Sequence, residues 1–209
     1  MVPPPAMTVV TPAALRFAEK ILAEELKAYD SKFVSDNLFY VFIYNSFSVK
    51  GVKFAGTQDG ANIWISVGSD RDPELSGGEI AATFHHEFAA LLFVVHANQL
   101  DQIAWFAEIP KDKPFFGDPF TSIGRGMSST KPNSKGWSDG YLSDYSRADL
   151  GKDFCVLWET AFSRPDKLIA AIGESPKIRA KVLLMKSFSE KIGGRLPSSV
   201  LDAISTSDR

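Results

Sequence analysis

The chain has 209 residues, 44% of them hydrophobic and 16 of them phenylalanine, which is enough apolar material for a sizeable core and excludes wholesale disorder. Lysine and arginine total 23 against 25 aspartates and glutamates, and the resulting net charge of -2 lacks the basic footprint of a nucleic-acid binder. The longest unbroken apolar run, residues 88–95, is too short to span a bilayer, and the single cysteine, Cys155, excludes an internal disulfide framework.

The first residues, Met1-Val2-Pro3-Pro4-Pro5, show neither the basic nor the apolar region of an export leader. Residues 1–11 are Pro-rich and read as an extended tail. Thr11-Pro12 is an N-cap followed by proline at the first helical position, and it opens a helix over 12–29. Leu15, Ala18, Ile21, Leu22, Glu25 and Leu26 recur there at helical spacing. Residues 38–44 are aromatic and β-branched, as a strand requires. Residues 47–54 alternate and read as an edge strand, Gln58-Asp59-Gly60 as a turn, and residues 62–68 as a further strand of a small mixed sheet.

Ser76 and Glu79 then form a capping pattern for a long helix that runs to about Gln99. Its middle is apolar on nearly every side, which marks a helix buried all round. Residues 102–148 are rich in Pro, Gly, Ser and Asn and read as a long irregular segment lining a cleft. Helices follow at 149–164, ended by Arg164-Pro165, and at 166–172, 176–192 and 196–204. Cys155 reads as a buried small hydrophobe. The four tryptophans read as core or loop anchors.

The chemistry sits in Thr83-Phe84-His85-His86-Glu87-Phe88-Ala89-Ala90. Three titratable side chains stand in a row within an otherwise apolar helix, and a buried carboxylate is costly unless it is paired or bound to a metal. Glu87 is either a general base beside a metal-bound water, with His86 as a ligand, or one member of a buried salt bridge or polar network.

Strand, turn and then an apolar helix with His-His-Glu-Phe resembles the zincin metallopeptidases of the gluzincin type. The likeness is to the bacterial zinc-binding metallopeptidases and the catalytic domain of anthrax lethal factor. It covers roughly residues 60–195 and includes Gly140-Tyr141-Leu142-Ser143-Asp144-Tyr145 before Lys152-Asp153-Phe154-Cys155-Val156. It implies an α+β zincin-like single domain over 1–209, with an N-terminal helix, a small sheet, a long buried active-site helix and a helical C-terminal half. It also implies zinc as cofactor, a peptide or protein as substrate or ligand, and an extracellular or cell-surface location. By the same resemblance His86 is a zinc ligand, Glu87 the general base and Tyr145 the donor to the oxyanion. An extended peptide would lie along the sheet edge, here 47–54.

The chain departs from the pattern at two of three ligands. The second histidine of His-Glu-x-x-His is Ala90, and the third ligand, a glutamate, is Lys152. Asp153, next to Lys152, is the nearest substitute donor. Glu159 is placed to pair with Arg164 or Lys152. The expectation is therefore a metallopeptidase-family protein with zinc held weakly or not at all and hydrolysis weak or lost. The alternative is a non-catalytic module on the same scaffold that binds a peptide, a glycan or a protein. No nucleic acid and no membrane span are expected.

Overall fold

Thr11 opens the first helix, its hydroxyl accepting from the Ala14 amide while Pro12 takes the first helical position, where no N–H is needed. The computed structural model describes residues 6–49, 52–68 and 77–206. The chain divides into two compact units, residues 1–95 and 96–209, both of which the sequence reading takes as one domain. The fold class is α+β, as expected, with helix far outweighing strand.

In the first unit α1 (Pro12–Glu25) tightens into a 3-10 turn at Leu26–Ala28. A short helix that the sequence pattern does not reveal, α2 (Ser31–Asn37), follows. Asp30 caps it by accepting from the amides of Lys32 and Phe33, and buried Phe33 anchors it. Two turns are too few to display a helical period, so the cap is its main signal.

Two small sheets are present. In the first, β1 (Ala6–Thr8) pairs antiparallel with β3 (Ser46–Val49), which in turn pairs with β4 (Val52–Lys53). The N-terminal segment is thus partly a paired strand rather than a tail throughout. In the second, β2 (Tyr40–Tyr44), β6 (Asn62–Ser66) and β5 (Gly56–Gln58) lie in the order β2-β6-β5. β2 runs parallel to β6 and β5 antiparallel to it, so this sheet is mixed. The Asp59 carboxylate accepts from the amides of Ala61 and Asn62 and closes the β5–β6 turn. Ile63 and Ile65 are fully buried on one face. On the other, Phe42 faces Trp64 across the ladder with rings stacked 5.4 Å apart, and Tyr40 lies beside Phe42.

The expected edge strand at 47–54 is two strands, of which only the second is an edge. β3 is the central strand of the other sheet, because β1 pairs along its second side, whereas β4 is an edge of that sheet; the antiparallel edge of the mixed sheet is β5. Residues 50 and 51 lie outside the described residues.

The long helix α3 (Gly77–His96) continues as a 3-10 turn to Gln99, and its proposed cap Ser76 lies outside the described residues. The segment Gly77–Gln99 is long and apolar enough to cross a bilayer, yet 67% of its most apolar window is buried inside the protein, as in a core helix.

In the second unit the segment 102–148 is less irregular than its composition suggests. It contains α4 (Gln102–Ala107), α5 (Pro119–Gly124) and 3-10 turns at Ser134–Asp139 and Tyr145–Arg147. Asp101 and Asp118 cap the two helices by accepting from the amides of Ala104 and Thr121. The helices α6 (Leu150–Ser163), α7 (Pro165–Glu174), α8 (Pro176–Lys191) and α9 (Ser198–Thr206) follow within a few residues of their expected bounds. Asp149 caps α6 through the Lys152 amide, and Pro165 and Pro176 each begin the helix that follows.

An ion pair wholly out of water ties this unit together. Lys181 of α8 donates to Asp153 Oδ2 of α6 at 2.8 Å and to the Gly140 carbonyl at 2.7 Å, and Trp105 Nε1 of α4 donates to the same carboxylate oxygen at 2.9 Å. The ammonium also lies 4.9 Å from the centre of the Tyr141 ring. Gly140 has φ +86, a left-handed conformation that ends the 3-10 turn, and a Cβ there would stand 2.9 Å from Lys177 Cβ. Burial pushes the Asp153 carboxyl above the ordinary carboxylate range, opposed first by the Lys181 charge. Lys181→Met strands this carboxylate and is expected to cost about 3–5 kcal/mol in chemical denaturation. Adding Asp153→Leu recovers only part of the loss, because Trp105 Nε1 and the Gly140 carbonyl remain without partners.

Candidate functional site

The sequence from Thr83 to Ala90 is helical because it lies within an apolar stretch that can be buried on every side. His85, His86 and Glu87 are consequently carried out of water, 0%, 6% and 8% exposed. Successive residues stand about 100° apart on a helix, so the three side chains leave α3 in different directions.

His85 points toward the first helix. Its Nε2 lies 2.8 Å from Glu25 Oε2 and its Nδ1 2.8 Å from the Tyr29 hydroxyl. An ionised carboxylate only accepts, so in the neutral ring Nε2–H donates to Glu25 and Nδ1 accepts from the Tyr29 hydroxyl. The hydrogen bond from His85 holds the Glu25 carboxyl below its ordinary value, with partial burial opposing. The ring of Tyr29 also packs edge-on against Phe88 at 5.0 Å. His85 is thus a member of a structural polar network, with both ring nitrogens engaged.

Glu87 faces the mixed sheet. A Cβ added to Gly56 of β5 would stand 2.7 Å from Glu87 Cγ, 2.7 Å from Thr83 Cγ2 and 3.1 Å from Glu87 Oε1. Only glycine lets the edge strand come this close to the helix. The expectation that Glu87 lies buried on an inward face agrees with this geometry. The structure therefore brings Thr83, Glu87 and Gly56 together in the first unit, with His86 preceding Glu87 and Ala90 one turn beyond His86.

Tyr145 and Asp153 belong to the second unit. Tyr145 begins a 3-10 turn, is half-buried, and lies 6.0 Å by its ring centre from Lys152 Nζ. Its amide donates to the Ser129 carbonyl at 3.2 Å. Asp153 is committed to Lys181 and Trp105 and is 0% exposed, so its role is that of a structural anion rather than a replacement ligand. Glu159 accepts from Arg164 Nη1 and from the Thr130 hydroxyl, both at 3.0 Å, which agrees with the expected pairing with Arg164. The Cys155 thiol is buried in α6.

The donor set does not fit a catalytic zinc ion. Such a site uses three protein ligands and an open position. Among the described residues, no group of three or more His, Cys, Asp and Glu side chains is placed to hold a metal. Ala90 supplies no donor, and both nitrogens of His85 are engaged elsewhere.

No protein-family model, curated protein or solved structure matches the chain. The likeness to zincins therefore rests on the residues themselves.

Sequence reading missed Gly56, Glu25, Tyr29 and Lys181. Glu25 stands within the apolar spacing of α1, and Lys181 falls on the buried face of α8 beside Ile178, Val182 and Met185. An ionisable residue at an apolar-face position is the signal that marks a buried partner.

Two outcomes follow from this geometry. Gly56→Ala forces Thr83 and Glu87 aside and is expected to lower stability by about 1–3 kcal/mol in denaturant titration, with part regained in the double variant with Thr83→Ala. Glu25→Gln removes the charge but keeps an acceptor. Because the folded-state pKa of Glu25 is depressed, its contribution is fully present above the ordinary value of 4.5 and is lost as pH falls through the folded value. The variant should thus be less stable than the parent at neutral pH, with the gap closing in acid, as measured by denaturant titration across the range.

Proposed function

We propose that this chain is a metallopeptidase-family protein of the zincin type in which hydrolysis is weak or lost, and in which the site beside Glu87 serves to bind an extended peptide. The observation that carries this reading is the buried Glu87 packed against Gly56 on the edge strand β5. An edge strand offers unpaired backbone groups to a further strand, and β5 lies along the helix that holds the carboxylate. A polar side chain retained in an apolar helix at the edge of a sheet is what a peptide-binding site of this ancestry would keep. His86 and Glu87 stand at their family positions, whereas Ala90 and Lys152 replace two ligands by a methyl group and a cation.

Ligand arithmetic supports loss of the metal. Removing a mere supporting partner of a metal ligand costs about 10–100-fold in affinity, and two direct ligands cost far more. Lys152 also places a positive charge at the sequence position of an anionic ligand. The reading takes the protein to bind peptide without a membrane span or nucleic acid.

The test is metal analysis of protein purified without added zinc, together with casein cleavage. Substoichiometric zinc and no cleavage abolished by Glu87→Gln are expected. The double variant Ala90→His with Lys152→Glu should gain zinc binding visible by calorimetry. Stoichiometric zinc in the parent, held below micromolar concentration, with casein cleavage lost in Glu87→Gln, would instead make it an active peptidase.

A further inference from the structure

The second unit carries two guanidinium groups on one aromatic ring. Arg147 Cζ lies 4.6 Å and Arg125 Cζ 4.5 Å from the centre of the Phe116 ring. The two charges are therefore at most twice that distance apart. Two like charges within this span repel only weakly in solvent, and an anion that reaches both is attracted by each. Among the described residues neither arginine has a carboxylate partner or a side-chain hydrogen bond. The Nε–H of Arg147 is moreover buried and meets no acceptor. A buried donor of a charged group left unmatched is expensive, and such a group calls for an explanation.

Two carboxylates of this segment, Asp118 and Asp139, are engaged elsewhere, and among the described residues the exposed Asp144 makes no ion pair with either arginine. Asp118 accepts from the amide and the hydroxyl of Thr121, which hold its pKa below the ordinary value. Asp139 pairs with Lys113 at 2.7 Å. The ring and the arginines are held in place by backbone. The Phe116 amide donates to the Arg147 carbonyl at 2.8 Å and the Gly117 amide to the Ala148 carbonyl at 2.9 Å. The Arg125 amide closes the end of α5 on Thr121 and Ser122. The cationic pair is thus built on fixed backbone, with Arg125 exposed and Arg147 half-buried.

We propose that Arg125 and Arg147, stacked on Phe116, form a binding site for a phosphate group. Guanidinium forks match oxyanions bidentately, and a ring's edge carries the positive part of its quadrupole. A phosphate bears about -1.5 to -2 charge at neutral pH and so balances two arginines, whereas a single carboxylate leaves one uncompensated. Its three peripheral oxygens also accept from two forks at once. The half-buried Arg147 supplies the fixed fork and the exposed Arg125 closes on the group. The site belongs to the second unit and Glu87 to the first, and this inference does not rest on the peptide-binding proposal.

The experiment is calorimetric titration of the full chain with inorganic phosphate and with phenyl phosphate, at low and at physiological ionic strength. Saturable binding of millimolar phosphate or tighter is expected, weaker at higher salt. Arg125→Gln and Arg147→Gln should each weaken it about tenfold or more. Tighter binding of phenyl phosphate assigns the group to a phosphorylated ligand, and equal binding assigns it to the free ion. Arg125→Gln changes an exposed side chain and leaves the fold measurable even where Arg147→Gln does not. Absence of saturable binding overturns the proposal, as does equal binding by the parent and Arg125→Gln, or an equal response to chloride.

Discussion

Ionisable side chains that apolar helices carry out of water must be given partners, and in both units the surrounding elements supply them. In the second unit the Asp153 carboxylate and the Lys181 ammonium are wholly buried 2.8 Å apart. The pair draws α4, α6, α8 and the segment around Gly140 onto one point. In the first, His85 reaches from α3 to Glu25 and Tyr29, so the long helix is tied to the N-terminal one by a polar bridge inside an aromatic cluster. Desolvation makes each partner costly to lose, and these bridges therefore favour one arrangement over slipped ones within each unit.

Glu87 shows the same constraint turned toward chemistry. Its carboxylate is buried, and the strand beside it is held to glycine at position 56. Replacing Glu87 with an apolar residue would have been the simpler way to bury this face of α3. The acid and the close strand occur together instead, and the peptide-binding proposal is built on that pairing. A peptide adding to β5, as proposed, would use backbone hydrogen bonds and need no metal.

The arginine pair on Phe116 follows the opposite course. Among the described residues these charges have stacking partners but no carboxylate paired with them, while Asp118 serves as a cap and Asp139 pairs with a lysine. Where the buried ion pair of the same unit closes on itself, this pair is left open to an anionic ligand.

The sequence by itself determined the long buried helix and the presence of an acid within it, because an unbroken apolar stretch has only one way to hide its surface. It also determined most helix boundaries of the C-terminal half, since Asp149, Pro165, Ser175 and Pro176 act locally on the backbone they precede. Tertiary structure alone decided the partners. Glu25 meets His85 across 60 positions, Asp153 meets Lys181 across 28, and Gly56 meets Glu87 through the sheet. It also decided that Ser46–Val49 and Val52–Lys53 form a separate sheet with Ala6–Thr8 and that β5 is an edge of the mixed sheet, which alternation along a single strand cannot express. Periodicity records which side of an element faces inward, whereas the identity of what it faces depends on how distant segments pack.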